Sequence, residues 1–236
     1  MKRWEGSVAF VTGANSEIGK AVIRQLVDNG LKVVALTGLK KHLDELVKEL
    51  SSKSKKEKFY ICKGEVNEES DVLEAYEWIK DNVGKVSIVI NNAGEKISES
   101  TTEKWRQLLD VNVLGVCIST REAIKHMKKN NIDGHVINLN SFVNHKVGSL
   151  DGDIYGASKY AVTSLTETIG LELAKENNSK IRVTSLSPGA IKPELKPGEV
   201  STLAPSDVTD AIIYVLSAPQ SVNVSELTIQ VTAKEV

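Results

Sequence analysis

Val8-Ala-Phe-Val11 followed by Thr12-Gly-Ala-Asn-Ser-Glu-Ile-Gly19 is a short apolar run that breaks at a glycine and continues as an amphipathic pattern. It reads as a buried strand, a tight turn and the opening of a helix. An open α/β sheet binds a dinucleotide diphosphate at such a junction, because the free N–H groups and positive dipole end of the helix face the anion. Gly13, Asn15, Ser16, Ile18 and Gly19 are the first candidate cofactor contacts.

The same alternation runs along the whole chain. Strands are expected at 7–12, 32–36, 58–61, 86–90, 135–139, 181–186 and 227–231. Helices are expected at 18–29, 41–50, 68–82, 102–129, 155–176 and 207–217. Short apolar runs separated by longer amphipathic ones predict an α/β fold, a parallel sheet of about seven strands with helices on both faces. No repeat, low-complexity tract or Gly/Ser linker marks a boundary, so 1–236 is expected to be one domain. The least regular stretch, 189–206, carries Pro193, Pro197, Gly198 and Pro205 and reads as a short substrate loop over the carboxyl end of the sheet.

Composition excludes several classes of function. A formal net charge of -1 gives no electrostatic footprint for nucleic acid or an anionic membrane surface. No apolar run is long enough to span a bilayer, and the first strand comes too early to leave room for a signal peptide. Cys62 and Cys117 have no metal-ligand spacing and no disulfide pattern, and His42, His126, His135 and His145 form no ligand pair, so no metal is expected. The expectation is a cytoplasmic protein.

Tyr155-Gly-Ala-Ser-Lys159 places a phenol and an ammonium one helical turn apart, on one face. An ammonium beside a phenol stabilises the phenolate, and Ser141 upstream would hydrogen-bond the oxygen of a carbonyl or alcohol while Tyr155 gives or takes its proton. Taken alone, the match is weak, because most such pairs on helices are a solvated lysine beside a half-buried tyrosine. Its meaning comes from its neighbours: Asn91-Asn-Ala-Gly94 after the fourth strand, Asn112 in the helix that follows, and Pro188-Gly189 after the sixth strand.

In that order these motifs resemble the short-chain dehydrogenase/reductase family over essentially the whole chain. The likeness is closest to the insect farnesol dehydrogenase-like branch, through Arg3-Trp4, Thr120-Arg-Glu-Ala-Ile124, Tyr155 to Thr168 and Glu226-Leu-Thr-Ile229. The resemblance implies a Rossmann-type doubly wound sheet and reversible hydride transfer between a nicotinamide cofactor and a small-molecule alcohol or carbonyl. It implies a catalytic set of Asn112, Ser141, Tyr155 and Lys159. Tyr155 would be the general acid/base, Ser141 would orient the substrate oxygen, and Lys159 would lower the tyrosine pKa and bind the nicotinamide ribose. Asn112 would hold a water relaying protons to Lys159. The cofactor set implied is completed by Thr37, Lys40, Glu65, Val66, Asn91, Ala93, Gly94, Pro188, Gly189 and Ile191, with Glu65 near adenine. A homodimer or homotetramer paired through the 102–129 and 155–176 helices is implied as well.

The chain departs from the family pattern on the cofactor side. Glu17 replaces the middle glycine of the diphosphate loop. One carboxylate about 5 Å from one phosphate charge costs roughly 3 kcal/mol at an effective dielectric of ~20, about a hundredfold in affinity, unless Glu17 swings out to Lys20 or Arg24. Thr37-Gly38-Leu39 carries no acid for an NAD ribose, and Lys40 and Lys41 follow it, so NADP(H) is favoured over NAD(H). Pro193 removes a hydrogen-bond donor, and the 189–206 loop is short. These departures leave a second reading open: a weakly active or inactive member that binds a ligand or partner.

Overall fold

The computed structural model describes residues 1–38, 43–52, 58–96, 101–144, 154–176, 180–192 and 202–232. Seven strands, β1 (Val8–Thr12), β2 (Lys32–Thr37), β3 (Phe59–Lys63), β4 (Val86–Asn91), β5 (Gly134–Leu139), β6 (Ile181–Pro188) and β7 (Glu226–Ile229), form one sheet in the order β3-β2-β1-β4-β5-β6-β7. Every neighbouring pair is parallel. The helices are α1 (Glu17–Asp28), α2 (Asp44–Ser52), α3 (Glu69–Asn82), α4 (Thr102–Leu109), α5 (Val116–Lys129), α6 (Ile154–Lys175) and α7 (Pro205–Ser217). This is the doubly wound Rossmann-type arrangement expected from the sequence. Strand order reverses between β1 and β4, which opens a crevice at their carboxyl ends.

Side-chain alternation sends each strand into two cores. Ala9 and Val11 of β1, with Val33 and Ala35 of β2, face α1, α2 and α7, whereas Val8, Phe10, Val34 and Leu36 face α3, α5 and α6. Both faces are covered at the centre of the sheet, so β1, β2 and β4 are nearly continuous apolar runs rather than alternating, and that made them readable as strands. A register shift between β1 and β4 pairs Val8 with Val86 and Ala9 with Ile88. The extra residue explains why Val86 and Val89 share one core while Ile88 and Ile90 share the other.

The sequence expectation of one helix over 102–129 is modified. Residues Asp110–Gly115 form a π-helical turn between α4 and α5. The cause is tertiary: Asn112 is fully buried, and its side chain is held by the backbone of Glu95 and by Ser158 of α6. One residue bulged from the α-helical ladder lets that side chain turn inward. At the chain start, Trp4 Nε1 donates to Leu216 O at 2.8 Å, docking the first turn onto α7.

His135 on β5 is fully buried, with Nε2 2.8 Å from Thr184 Oγ1. Thr184 Oγ1 already donates its only proton to Val224 O at 2.6 Å, so Nε2 is the donor to it and carries the ring proton. Nδ1 has no partner. A second proton would sit there as a buried, unpaired cation, and burial pushes the imidazole pKa from 6.5 down to about 3. The folded state therefore binds fewer protons than the unfolded one across that window, and stability falls as pH drops from 6.5 toward 3. The expected outcome for His135→Gln, which keeps a donor for Thr184, is a shallower acid limb than wild type between pH 6.5 and 4. Urea unfolding midpoints at several pH values check it.

Candidate active site

Every predicted site residue among the described ones follows, or lies beside, the carboxyl end of a strand. Gly13 has φ of 62°, and a Cβ there would stand 2.6 Å from the backbone N and Cα of Ala93. Only glycine fits so close an approach. A Cβ on Gly19 would stand 2.9 Å from Ala14 Cα and 3.0 Å from Asn92 Nδ2, so α1 seats directly on the loop. Ser16 caps α1, its Oγ accepting from Gly19 N and donating to Gly13 O, both at 3.0 Å.

Asn92 holds the loop from the other side. Its Nδ2 lies 3.2 Å from Thr12 O, 2.7 Å from Gly13 O and 3.1 Å from Ser16 Oγ, while Thr12 Oγ1 accepts from the backbone N–H groups of Asn92 and Ala93. Thr12 and Asn92 were not among the residues singled out, although the Asn-Asn-Ala-Gly motif contained the signal. Asn91 plays a different part from its neighbours. It is buried, and its Nδ2 donates to Thr120 Oγ1 and to Asn138 Oδ1, bracing the central strands from inside.

The loop and α1 form a glycine-lined cradle at a helix N-terminus, which fits a dinucleotide diphosphate. Glu17, at the first position of α1, pairs with Lys20 at 3.0 Å and is half exposed. That is the swung-out arrangement, and partial exposure leaves the pair screened. Farther along the edge, Thr37 is buried at the end of β2, Glu65 is exposed after β3, and Val66 packs into the core against Gly115. Lys40 and Pro193 lie outside the described residues. So does most of the 189–206 loop, of which Ile191 bridges to Leu203 and Gly189 N donates to Ile229 O at 2.9 Å.

The candidate acid/base residues stand after β5, on the π turn and at the start of α6. Ser141 hydrogen-bonds the Tyr155 hydroxyl. Lys159 Nζ lies 5.6 Å from the centroid of the Tyr155 ring and donates to Leu139 O at 3.1 Å. Asn140 locks this corner: its Nδ2 reaches Thr163 Oγ1 at 2.8 Å and Ser185 Oγ at 3.1 Å, tying the residue before Ser141 to α6 and β6. Gly94 completes it, since a Cβ there would stand 3.5 Å from Asn112 Oδ1 and 3.7 Å from Lys159 Nζ.

The geometry bears on two of the expected roles. Asn112 Oδ1 accepts from Glu95 N at 2.7 Å, and Nδ2 donates to Glu95 O and Ser158 Oγ. Both amide protons are committed, so the side chain staples the π turn to Glu95 and α6, and only acceptor oxygens at this residue are left to face a water. The phenol of Tyr155 is raised above its ordinary pKa, because burial outweighs the lowering hydrogen bond from Ser141. Lys159 does not reverse that shift. Its own pKa is pushed by burial from 10.5 down to about 8.

With this geometry in view, the sequence profile of the short chain dehydrogenases matches residues 7–203. The chain belongs to that family. It is 37% identical to farnesol dehydrogenase of Aedes aegypti over 98% of each chain, and 36% identical to human dehydrogenase/reductase SDR family member 11 over 98% of this chain and 96% of that one. It stands near the insect farnesol dehydrogenase branch. Among solved structures, serine dehydrogenase from Escherichia coli superposes with a TM-score of 0.84 at 26% identity, covering 97% of this chain and 100% of the other. The closed form of serine dehydrogenase complexed with NADP+ shares the fold with a TM-score of 0.85 at 24% identity, covering 97% and 96%.

A lysine whose folded pKa lies below its unfolded value binds fewer protons in the folded state, so its burial costs most below pH 8 and the cost fades toward pH 10.5. Lys159→Met is therefore expected to keep or raise the melting temperature at pH 7. The difference from wild type should shrink as pH rises from 8 to 10. Paired thermal melts check this, and a variant that melts several degrees lower at pH 7 would refute it.

Proposed function

We propose that this protein is an oxidoreductase that moves a hydride between a nicotinamide dinucleotide and a small or isoprenoid-like alcohol or carbonyl, with Tyr155 as general acid/base. The observation that carries the proposal is the Ser141–Tyr155–Lys159 cluster standing at the same sheet edge as the Gly13–Gly19 cradle. The relation to farnesol dehydrogenase supports an isoprenoid-like substrate. When bound, the nicotinamide supplies or accepts the hydride.

The chain's own residues handle the proton. A phenol held above its ordinary pKa is protonated at neutral pH, which suits donation to a carbonyl oxygen during reduction. Ser141 orients that oxygen and keeps the phenol turned toward it. Lys159, tied to Leu139 O, places a positive charge beside the ring and favours the phenolate left behind. Gly13, Ser16, Ile18 and Gly19 would hold the diphosphate. The sequence favours NADP(H), because no acid follows β2 in the chain, but the ribose end is decided by what surrounds Gly38.

Glu17 supports a second reading, a family member that binds ligands with little or no redox activity. One titration separates the two. Millimolar NADH or NADPH is expected to quench or shift fluorescence in the wild type, with Glu17→Gly tightening binding by less than about tenfold because Lys20 already holds the carboxylate. Tyr155→Phe is expected to retain binding and lower turnover at least about a hundredfold, the scale of lost acid/base catalysis. Failure of both dinucleotides to bind removes the dehydrogenase reading, and unchanged turnover removes Tyr155 from the mechanism.

We read the protein further as a cytoplasmic homodimer or homotetramer. Leu109, Leu114, Tyr160 and Leu171 are large apolar side chains exposed along α4, the π turn and α6, on the helices through which pairing is proposed. Light scattering is expected to return at least a dimer, and Leu114→Glu with Leu171→Glu is expected to lower the mass. A monomeric wild type at micromolar concentration sinks that assignment. Among the described residues, no helix is long and apolar enough to cross a membrane.

A further inference from the structure

The carboxylate of Glu65 occupies the place of the side chain that Gly38 lacks. A Cβ built on Gly38 would collide with Glu65 Oε1 and stand 2.6 Å from Cδ. The two residues come together because β2 and β3 run parallel with Thr37 opposite Lys63, and Gly64 N donates to Thr37 O at 3.2 Å just beyond. The starting point of Glu65 is fixed as well. Its backbone N–H donates to Asp71 Oδ2 at 2.9 Å, so the first turn of α3 holds it beside the end of β2.

In an open dinucleotide-binding sheet, the residue just past the second strand selects the cofactor: an acid takes the ribose hydroxyls, and an arginine takes a 2′-phosphate. Gly38 supplies neither. Resting on the reading that this crevice takes a nicotinamide dinucleotide, we propose that Glu65 supplies the selecting carboxylate from the turn after β3, and that the protein prefers NAD(H) to NADP(H). A carboxylate only accepts hydrogen bonds, so it matches a vicinal diol that offers two O–H donors. A 2′-phosphate removes one donor and brings about −1.5 to −2 charge against the acid. Asp71 behind it adds a second negative group on the same edge. The expectation of NADP(H) rested on a sequence with no acid after β2, and the fold brings one there from the turn after the neighbouring strand.

The test is direct titration of the full chain with NADH and with NADPH, read by cofactor fluorescence rather than turnover. Wild type is expected to bind NADH at least about tenfold tighter, equivalent to about 1.4 kcal/mol. Glu65→Gln is expected to close that ratio to below about threefold by weakening NADH and strengthening NADPH, with an unchanged melting temperature. Tighter NADPH binding in wild type, or a ratio that Glu65→Gln does not move, overturns the assignment of Glu65 and leaves the oxidoreductase reading standing. Binding of neither dinucleotide removes both proposals together.

Discussion

The site depends on how β1 and β4 part at their carboxyl ends. Where the strand ladder stops, backbone N–H and C=O groups near the core need new partners or incur a desolvation cost. Thr12 and Asn92 supply them to each other's strand: the threonine hydroxyl receives two backbone N–H groups, and the asparagine amide faces the carbonyls of Thr12 and Gly13. The parted strands are thereby rigid rather than frayed. A glycine loop can then lie against Ala93 and present a helix N-terminus to the gap.

A second brace lies behind the first. Asn91 and Asn138 stand opposite each other on β4 and β5, and their carboxamides link Thr120 of α5 to Thr166 of α6. Asn112 and Asn140 repeat the device nearer the edge, one stapling the π turn to Glu95 and Ser158, the other tying β5 to α6 and β6. Buried amides bonded on several sides fix orientation as well as distance. Tyr155 and Lys159 on α6, and Ser141 just past β5, inherit that rigidity. Lys159 bears an electrostatic cost for its place, a buried ammonium whose partner in hydrogen bonding is a carbonyl rather than a carboxylate.

Local chemistry made much of this legible. The strands announce themselves because a parallel sheet covered on both faces must be apolar along its length, and Tyr155 and Lys159 share a helix face by spacing alone. Gly13 and Gly19 are readable for the same reason: a positive φ and a helix seated on a loop restrict the residue at that position. The π turn at Asp110–Gly115 was not legible, since one bulged residue hardly changes the apolar pattern of a helix and is held by contacts from outside it. The direction of the Tyr155 shift was not legible either. It depends on the balance between burial and a serine hydrogen bond, and burial belongs to the folded state.

By itself the sequence determined the order of strands and helices, the glycine turn after β1 and the spacing that sets Tyr155 and Lys159 on one helix face. Each follows from residue type and local spacing. Tertiary structure alone decided what surrounds those groups. Glu17 turned to Lys20, Asn91 turned into the sheet, and Glu65 came to rest against Gly38. Such placements arise because a parallel register sets residues from separate segments side by side, and neither partner's local sequence encodes the other.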